Sequence, residues 1–283
     1  MPKISVLMPV YKTKEKFLRQ TIEAVLNQTY TDFEFLILDD CPEDDREAVV
    51  KSYADKRIKY MKNEQNLGIT PSRNKLIYMA QGEYLAVLDH DDVCRSTRFE
   101  KEVAVLDSHP EVGVVSCYVH KVVANKDIKM PETNEDIKIS LMMRCAVNHS
   151  AAMIRKSVLE KNNIRYDAHY SPAEDMKLWQ SLIDITEFYN IPEVLLDYRD
   201  WAENTTRRQH DKMEKASLEL LAENEIRFPE LWHKCALTKA EYRYTIRLFN
   251  FIPLLDIRTK GRRTSAKLFG FIPLYSLKKS IKA

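Results

Sequence analysis

At 283 residues and 45% hydrophobic content the chain is long enough to bury a sizeable core, and only five Gly and 11 Pro among 30% charged residues exclude collagen-like and low-complexity classes. Its formal net charge is +2, yet Ile257–Ala283 holds eight Lys or Arg and no acid, so the preceding 256 residues carry −6. Basic character is confined to the tail.

In chain order, short apolar runs alternate with amphipathic stretches: Ile4–Val10 then Lys14–Gln28, Phe33–Leu38 then Asp44–Ala54, Ile58–Met61 then Pro71–Ala80, Tyr84–Leu88 then Ser96–Ser108, and finally Val112–Val119. Phe17, Leu18, Thr21, Ile22, Val25 and Leu26 fall in one stripe at helical spacing, which predicts a helix laid on a sheet. Thr70 and Pro71 read as an N-cap and first-turn pair, with Gly82 as a stop. Such alternation predicts an α/β fold: a mostly parallel sheet with helices on both faces and ligands at the strands' carboxyl ends. Beyond residue 120 the pattern loosens to α+β. Helices are predicted over Asp136–Arg144, Asp175–Ile185 and Arg207–Asn224, and strands over Ala151–Ile154 and Val194–Tyr198. A helical basic tail follows, in which Leu248–Leu254 (LFNFIPL) recurs twenty residues on as Leu268–Leu274 (LFGFIPL).

Chemistry concentrates where these strands end. Asp89-His90-Asp91-Asp92 follows the fourth run, and in extended chain Asp89 and Asp91 point the same way, so they can share a hard cation or divide a metal and a ribose. An isolated acidic turn would read the same. Pro9-Val10-Tyr11, Asp39-Asp40 and Asn66-Leu67-Gly68 end the other three runs. A Tyr there can stack on a base, a carboxylate can accept from a pyrimidine N–H, and Arg73 can face phosphate or base. Each alone also fits a turn, a cap or a surface ion pair.

Together these residues resemble the family 2 glycosyltransferases, inverting enzymes of GT-A fold, over roughly residues 3 to 205: the opening Ile4–Tyr11, Asp39, the stretch Asn66–Asn74 and the acidic loop match in order and spacing. The resemblance implies that Asp39 contacts the base, that Asp91 is the principal ligand of Mn2+ or Mg2+, that Asp89 lies toward the ribose and that Asp92 supports. Glu174-Asp175 resembles the acidic pair opening a helix, which makes Asp175 the expected base and Glu174 its rival; both acids would also suit a helix dipole alone. Asn148-His149-Ser150 resembles a segment bordering acceptor and donor sugar, though His149 fits a structural role equally. Where the family has Tyr-Arg-x-His, this chain has Tyr198-Arg199-Asp200-Trp201, so Trp201 stands in place of a His. Arg199, Arg207 or Arg208 would compensate, and Trp201 could stack on sugar.

The expected organisation is a nucleotide-sugar and metal half (1–120), an acceptor half (121–205) and a basic extension (206–283). The expected partners are a nucleotide-sugar donor, with UDP favoured, and a saccharide or lipid-linked acceptor, as in surface polysaccharide or lipopolysaccharide synthesis. A non-catalytic nucleotide-sugar or saccharide binder is the alternative. A sugar nucleotidyltransferase would want a Gly-rich basic loop where Pro9-Val10-Tyr11-Lys12 stands. The basic tail, with its Phe, Ile and Leu, is expected either to lie on an anionic membrane or to pack on the core or a homodimer partner. Without aromatic-interleaved basic sequence, no nucleic acid is expected. Five widely spaced cysteines without a C-x-x-C pair suit a reducing compartment. No uncharged apolar run nears the roughly 18 residues of a membrane span and no signal peptide is evident, so the expected location is cytoplasmic, peripheral on the inner membrane face.

Overall fold

The computed structural model describes residues 1–44, 46–201, 209–239, 241–248, 252–260, 263–268 and 272–278. Two compact units divide the chain, Met1–Glu223 and Asn224–Ala283. The first is built on nine strands: β1 (Ile4–Val10), β2 (Phe33–Asp39), β3 (Ile58–Lys62), β4 (Tyr84–Val87), β5 (Val93–Cys94), β6 (Val112–Lys121), β7 (Lys126–Ile128), β8 (Met153–Arg155) and β9 (Glu187–Tyr198). Their order is β3-β2-β1-β4-β8-β6-β9-β5, with β7 pairing β6. β1 pairs in parallel with β2 and β4, β2 with β3, and β6 with β9; β8 runs antiparallel to both β4 and β6, and β5 and β7 are also antiparallel to their partners. Six strands therefore share one direction, and the sheet is the mostly parallel one expected.

β1 and β2 are buried at every position because both faces of the sheet are covered, which is why they read as continuous apolar runs. On one face Ile4, Val6 and Met8 meet Leu18, Ile22 and Val25 of α1 (Glu15–Leu26). α2 (Glu47–Lys51) precedes β3, and α3 (Ile69–Met79) packs on β1. α3 starts earlier than the Thr70-Pro71 signal suggests: its cap is Gly68, at φ 87°, and Thr70 lies inside the first turn with a buried side chain. Gly82 is demanded by close approach, since a Cβ there would stand 2.5 Å from Ser5 N and 2.6 Å from Ile4 C. α4 (Arg98–Ser108) precedes β6, and α5 (Asn134–Leu141), capped by Thr133, covers β9. α6 (Lys156–Lys161) and α7 (Glu174–Ser181) follow β8. β9 is longer than its sequence signal, because Glu187, Asn190 and Glu193 interrupt the apolar run before Val194.

Parallel pairing brings the carboxyl ends of β1, β2, β3, β4 and β9 to one edge, and antiparallel β8 starts at that same edge. Tyr11, Asp39-Asp40, Asn66–Gly68, Asp89–Asp92, His149-Ser150 and Arg199–Trp201 thereby become neighbours by topology.

Beyond the sheet, α8 (His210–Arg227) lays Ala216 and Leu220 against Tyr170, Ala173 and Met176. In the second unit α9 (Pro229–Lys239) precedes a four-stranded antiparallel sheet, β10 (Glu241–Leu248), β11 (Ile252–Lys260), β12 (Arg263–Leu268) and β13 (Ile272–Lys278), in sequential order. Among its described residues the tail is thus helical only to Lys239, and those from Glu241 on are strand. The repeat explains the register: Arg247 and Leu248 pair with Pro253 and Ile252 as Lys267 and Leu268 pair with Pro273 and Ile272, each beside a register shift. Arg207 and Arg208 lie outside the described residues.

Candidate active site

Asp39 is fully buried, and its carboxylate is already bonded: Tyr60 Oη donates to Oδ2 at 2.9 Å and Cys41 N to Oδ1 at 3.0 Å. Burial pushes its carboxyl above the usual range, against those two bonds. Asp40 shapes the next loop, accepting from Asn63 Nδ2 (2.7 Å), Leu67 N (2.8 Å) and Gly68 N (2.8 Å), while Asn66 Oδ1 also accepts from Gly68 N at 2.9 Å. Pro9 and Val10 are buried, whereas Tyr11 is 43% exposed at the edge, its ring beneath Lys12 Nζ. Tyr11 is therefore the residue of this stretch free to meet a flat ligand.

The acidic loop is held from below by a buried ion pair. Arg98 and Glu102, both fully buried, are joined by Arg98 Nε to Glu102 Oε1 at 3.0 Å, and the Arg98 guanidinium also donates to the carbonyls of Val87, Ser150 and Ala152. One side chain thus pins the end of β4 to the entry of β8. Burial raises the Glu102 carboxyl to about 7 against the pull of Arg98. Asp89 N donates to Ser150 Oγ at 3.0 Å, Asp92 Oδ1 accepts from Arg199 N at 3.0 Å, and Thr21 Oγ1 donates to the carbonyls of His90 and Asp92. Asp92 is 1% exposed and its Oδ2 has no partner among the described residues. Burial, then Asp91 and Asp89, push its carboxyl well up. Asp91 Oδ2 accepts from Trp201 Nε1 at 2.9 Å.

Arg73 joins this loop to the second acidic element. Its guanidinium donates to Asp89 Oδ1 at 3.0 Å and to Glu174 Oε1 at 2.6 Å, and lies 5.6 Å from the Tyr166 ring centroid. Burial opposes the Asp89 charge, but the Arg73 guanidinium beside it holds its carboxyl below the usual range. Glu174 and Asp175 open α7; Glu174 Oε2 and Arg73 Nε are buried without partners among the described residues. Asp175 Oδ1 accepts from Met176 N at 2.7 Å, and burial and Glu174 push the carboxyl up to about 6, with Arg73 opposing. His149 bonds Tyr166 Oη through Nε2 at 2.8 Å and tilts toward Trp179 at 6.0 Å. Burial, aided by Arg73, lowers its pKa to about 3, so the ring is neutral.

Sequence reasoning missed Arg98, Glu102 and Tyr166, and gave Asn74, inside the matched stretch, no role of its own. Arg98 and Glu102 look like a surface i, i+4 pair; the usable signal was their place on the stripe of Phe99, Val103 and Leu106. Asn74 and the Tyr166 backbone exchange two bonds of 2.9 Å across 92 residues, for which no local signal exists.

The acidic loop suits a hard cation only in part. Among the described residues no group of three His, Cys, Asp or Glu could hold a metal alone. The unpartnered buried Asp92 Oδ2 and the oxygen-only donor set do fit an ion completed by substrate phosphates and water, as Mg2+ commonly is.

A twisted, mostly parallel sheet with acidic loops gathered at its carboxyl edge defines a GT-A-like α/β fold. The model of the glycosyl transferase family 2 matches residues 5–163, and the chain belongs to that family. An uncharacterised glycosyltransferase of Methanocaldococcus jannaschii is 33% identical over 207 residues, covering 70% of this chain and 71% of its own. Among solved structures, S. aureus TarS (residues 1–349) in complex with UDP-GlcNAc superimposes with a TM-score of 0.62 at 18% identity, covering 80% of this chain and 73% of that one. The mannosyltransferase PcManGT of Pyrobaculum calidifontis, in complex with GDP-Man and Mn2+, gives a TM-score of 0.62 at 15% identity, covering 84% and 70%.

Proposed function

We propose that this glycosyltransferase moves a hexosyl or N-acetylhexosaminyl group, with inversion, from a UDP-sugar to a saccharide or lipid-linked acceptor in surface polysaccharide synthesis. The observation that carries this reading is Arg73, which bonds Asp89 of the acidic loop and Glu174 beside Asp175 at the same time. Candidate donor carboxylates and candidate base thereby surround one site, although 101 residues separate Arg73 from Glu174.

In the reaction the acceptor oxygen bonds to the sugar's anomeric carbon as the bond from that carbon to the diphosphate breaks. The hydroxyl proton passes to the Asp175 carboxylate and the nucleoside diphosphate leaves. A carboxyl raised to about 6 is ionised at neutral pH yet more basic than an ordinary Asp, which suits a general base. Asp91 and Asp92 would hold Mn2+ or Mg2+, which supplies charge neutralisation at the diphosphate. Tyr11 would stack on the base, and Asp39, which uses one acceptor site on each oxygen, would accept from it through a remaining lone pair once opened to the ligand. Asp40, Asn66 and Gly68 keep the intervening loop in shape. In the same reading the basic residues from Ile257 onward bring the enzyme to anionic membrane bearing lipid-linked acceptor, with a homodimer contact as their other use.

One observation favours a non-catalytic nucleotide-sugar binder: Trp201, not a metal-ligating residue, sits on Asp91. Calorimetric titration of UDP, GDP, CDP and UDP-sugars, with and without Mn2+, into the protein and into Asp91→Ala tests the donor site. Metal-dependent binding of one diphosphate, abolished by the substitution, is expected, and binding of none of them refutes the assignment. Release of nucleoside diphosphate on adding a saccharide acceptor then separates enzyme from binder.

A further inference from the structure

Trp201 follows β9 and is fixed on three sides. Its indole N–H donates to Asp91 Oδ2 at 2.9 Å, its ring meets Phe17 edge to face at 5.3 Å, and Lys14 Nζ lies 4.5 Å from its centroid. Asp91 Oδ1 accepts no hydrogen bond from the described residues. Beside it Asp92 is held through Oδ1 by Arg199 N, while its Oδ2 is buried without a partner among the described residues. Two carboxylates of one loop are thus each held through one oxygen by the segment after β9, and among the described residues neither Asp91 Oδ1 nor Asp92 Oδ2 has a hydrogen bond of good geometry, Ser150 being the near hydroxyl on Asp92. An indole N–H is a donor only, so Trp201 cannot itself ligate a cation; it can only orient a group that does.

We propose that Trp201 is the positioning residue of the cation site, resting on the donor-site reading above: its N–H holds Asp91 so that Oδ1 is presented for a divalent cation. Outer-shell donors of this kind fix the ligand's orientation, and their removal costs about 10- to 100-fold in metal affinity. Since an indole supplies no ligand atom, a cation held by Asp91 and Asp92 would need further oxygen donors from diphosphate or water, which would couple ion binding to nucleotide binding.

Trp201→Phe isolates the N–H, because a phenyl ring keeps the edge contact with Phe17. The full chain is titrated with Mn2+ in the presence of saturating UDP, following heat and tryptophan emission, with Mg2+ as the non-quenching control. Paramagnetic Mn2+ is expected to quench emission in the wild type and Mg2+ to leave it unchanged. Trp201→Phe is expected to lose the quenched component, keep the emission of the other two tryptophans, and bind Mn2+ about tenfold more weakly, equivalent to about 1.4 kcal/mol. Trp201→His, which restores a nitrogen, is expected to hold Mn2+ within about threefold of wild type. Mn2+ affinity in Trp201→Phe within about twofold of wild type overturns the proposal, as does wild-type emission that Mn2+ leaves as Mg2+ does. The second readout involves no variant, so a poorly folded Trp201→Phe does not rescue the idea. A wild type that binds neither UDP nor Mn2+ sinks the donor-site reading itself, and this inference with it; a wild type that binds both, with Trp201→Phe unchanged, sinks this inference alone.

Discussion

Arg73→Met removes the one charge that lets two acidic elements share a buried space. The side chains of Arg73 and Glu174 are 11% and 5% exposed, and that of Asp89 is 32% exposed. Methionine keeps most of the aliphatic volume, so what changes is charge. Breaking a buried pair by deleting one partner costs about 3–5 kcal/mol, because the other charge stays buried and unpaired. The lower end, about 3 kcal/mol, applies here, since Asp89 can turn toward water while Glu174 cannot. In a body of 223 residues that corresponds to a fall in Tm of roughly 6 to 12 °C. The loss also has a pH signature. In the wild type Asp89 sits below its ordinary carboxyl value, so its stabilisation is present above that value and lost only as pH falls through the lowered one. In the variant the Arg73 charge that lowers Asp89 is gone, so the carboxyl moves back up and the stabilisation the wild type has in full at pH 7 is missing there, while little is lost at a pH where Asp89 is already partly protonated. Melts followed by circular dichroism at about pH 7 and about pH 4.5 are expected to show the larger gap at pH 7. Adding Glu174→Gln to Arg73→Met should recover more than half of the loss. A fall in Tm below about 3 °C, or an equal gap at both pH values, would refute the argument.

Two other outcomes follow from the same geometry. With Asp175 as base, kcat should fall on the acid side with a midpoint near its raised value of about 6, and Asp175→Asn should lower kcat by about 10²- to 10⁴-fold with UDP-sugar affinity kept; a flat profile between pH 5 and 7 in steady-state assays contradicts this. Gly82→Ala would set a methyl against the backbone of Ile4 and Ser5, so β1 and β4 must part; a loss of about 1–3 kcal/mol in urea unfolding is expected, and wild-type stability would show that the strands yield freely.

The first 120 residues were legible because their signals are local. β1, β2 and β4 are continuous apolar runs, each ending in the residues that the parallel topology carries to one edge, so element order alone brings Tyr11, Asp39 and the acidic loop together. The first half of β9 was not legible, because its polar positions break the apolar run that marks a buried strand. In the tail the LF(N/G)FIPL repeat was visible, but its meaning as two hairpins with one register needed the strand pairing itself.

Site chemistry divides along the same line. A carboxylate's position in the chain was readable, whereas its partner was not: Arg73, read from the sequence as able to face phosphate or base, bonds Asp89 and Glu174. The Arg73 side chain is 11% exposed and its Nε–H has no partner among the described residues, so releasing one of those carboxylates is the direct way to open the guanidinium to a diphosphate. Release of Asp89 would leave Glu174 held by Arg73 and remove only the smallest of the influences on Asp175; release of Glu174 would leave its carboxylate beside Asp175 without Arg73 and raise Asp175 further. The first exchange keeps the base near neutrality while freeing an acid at the donor end, so Asp89, the more exposed of the two, is the partner that donor binding should displace.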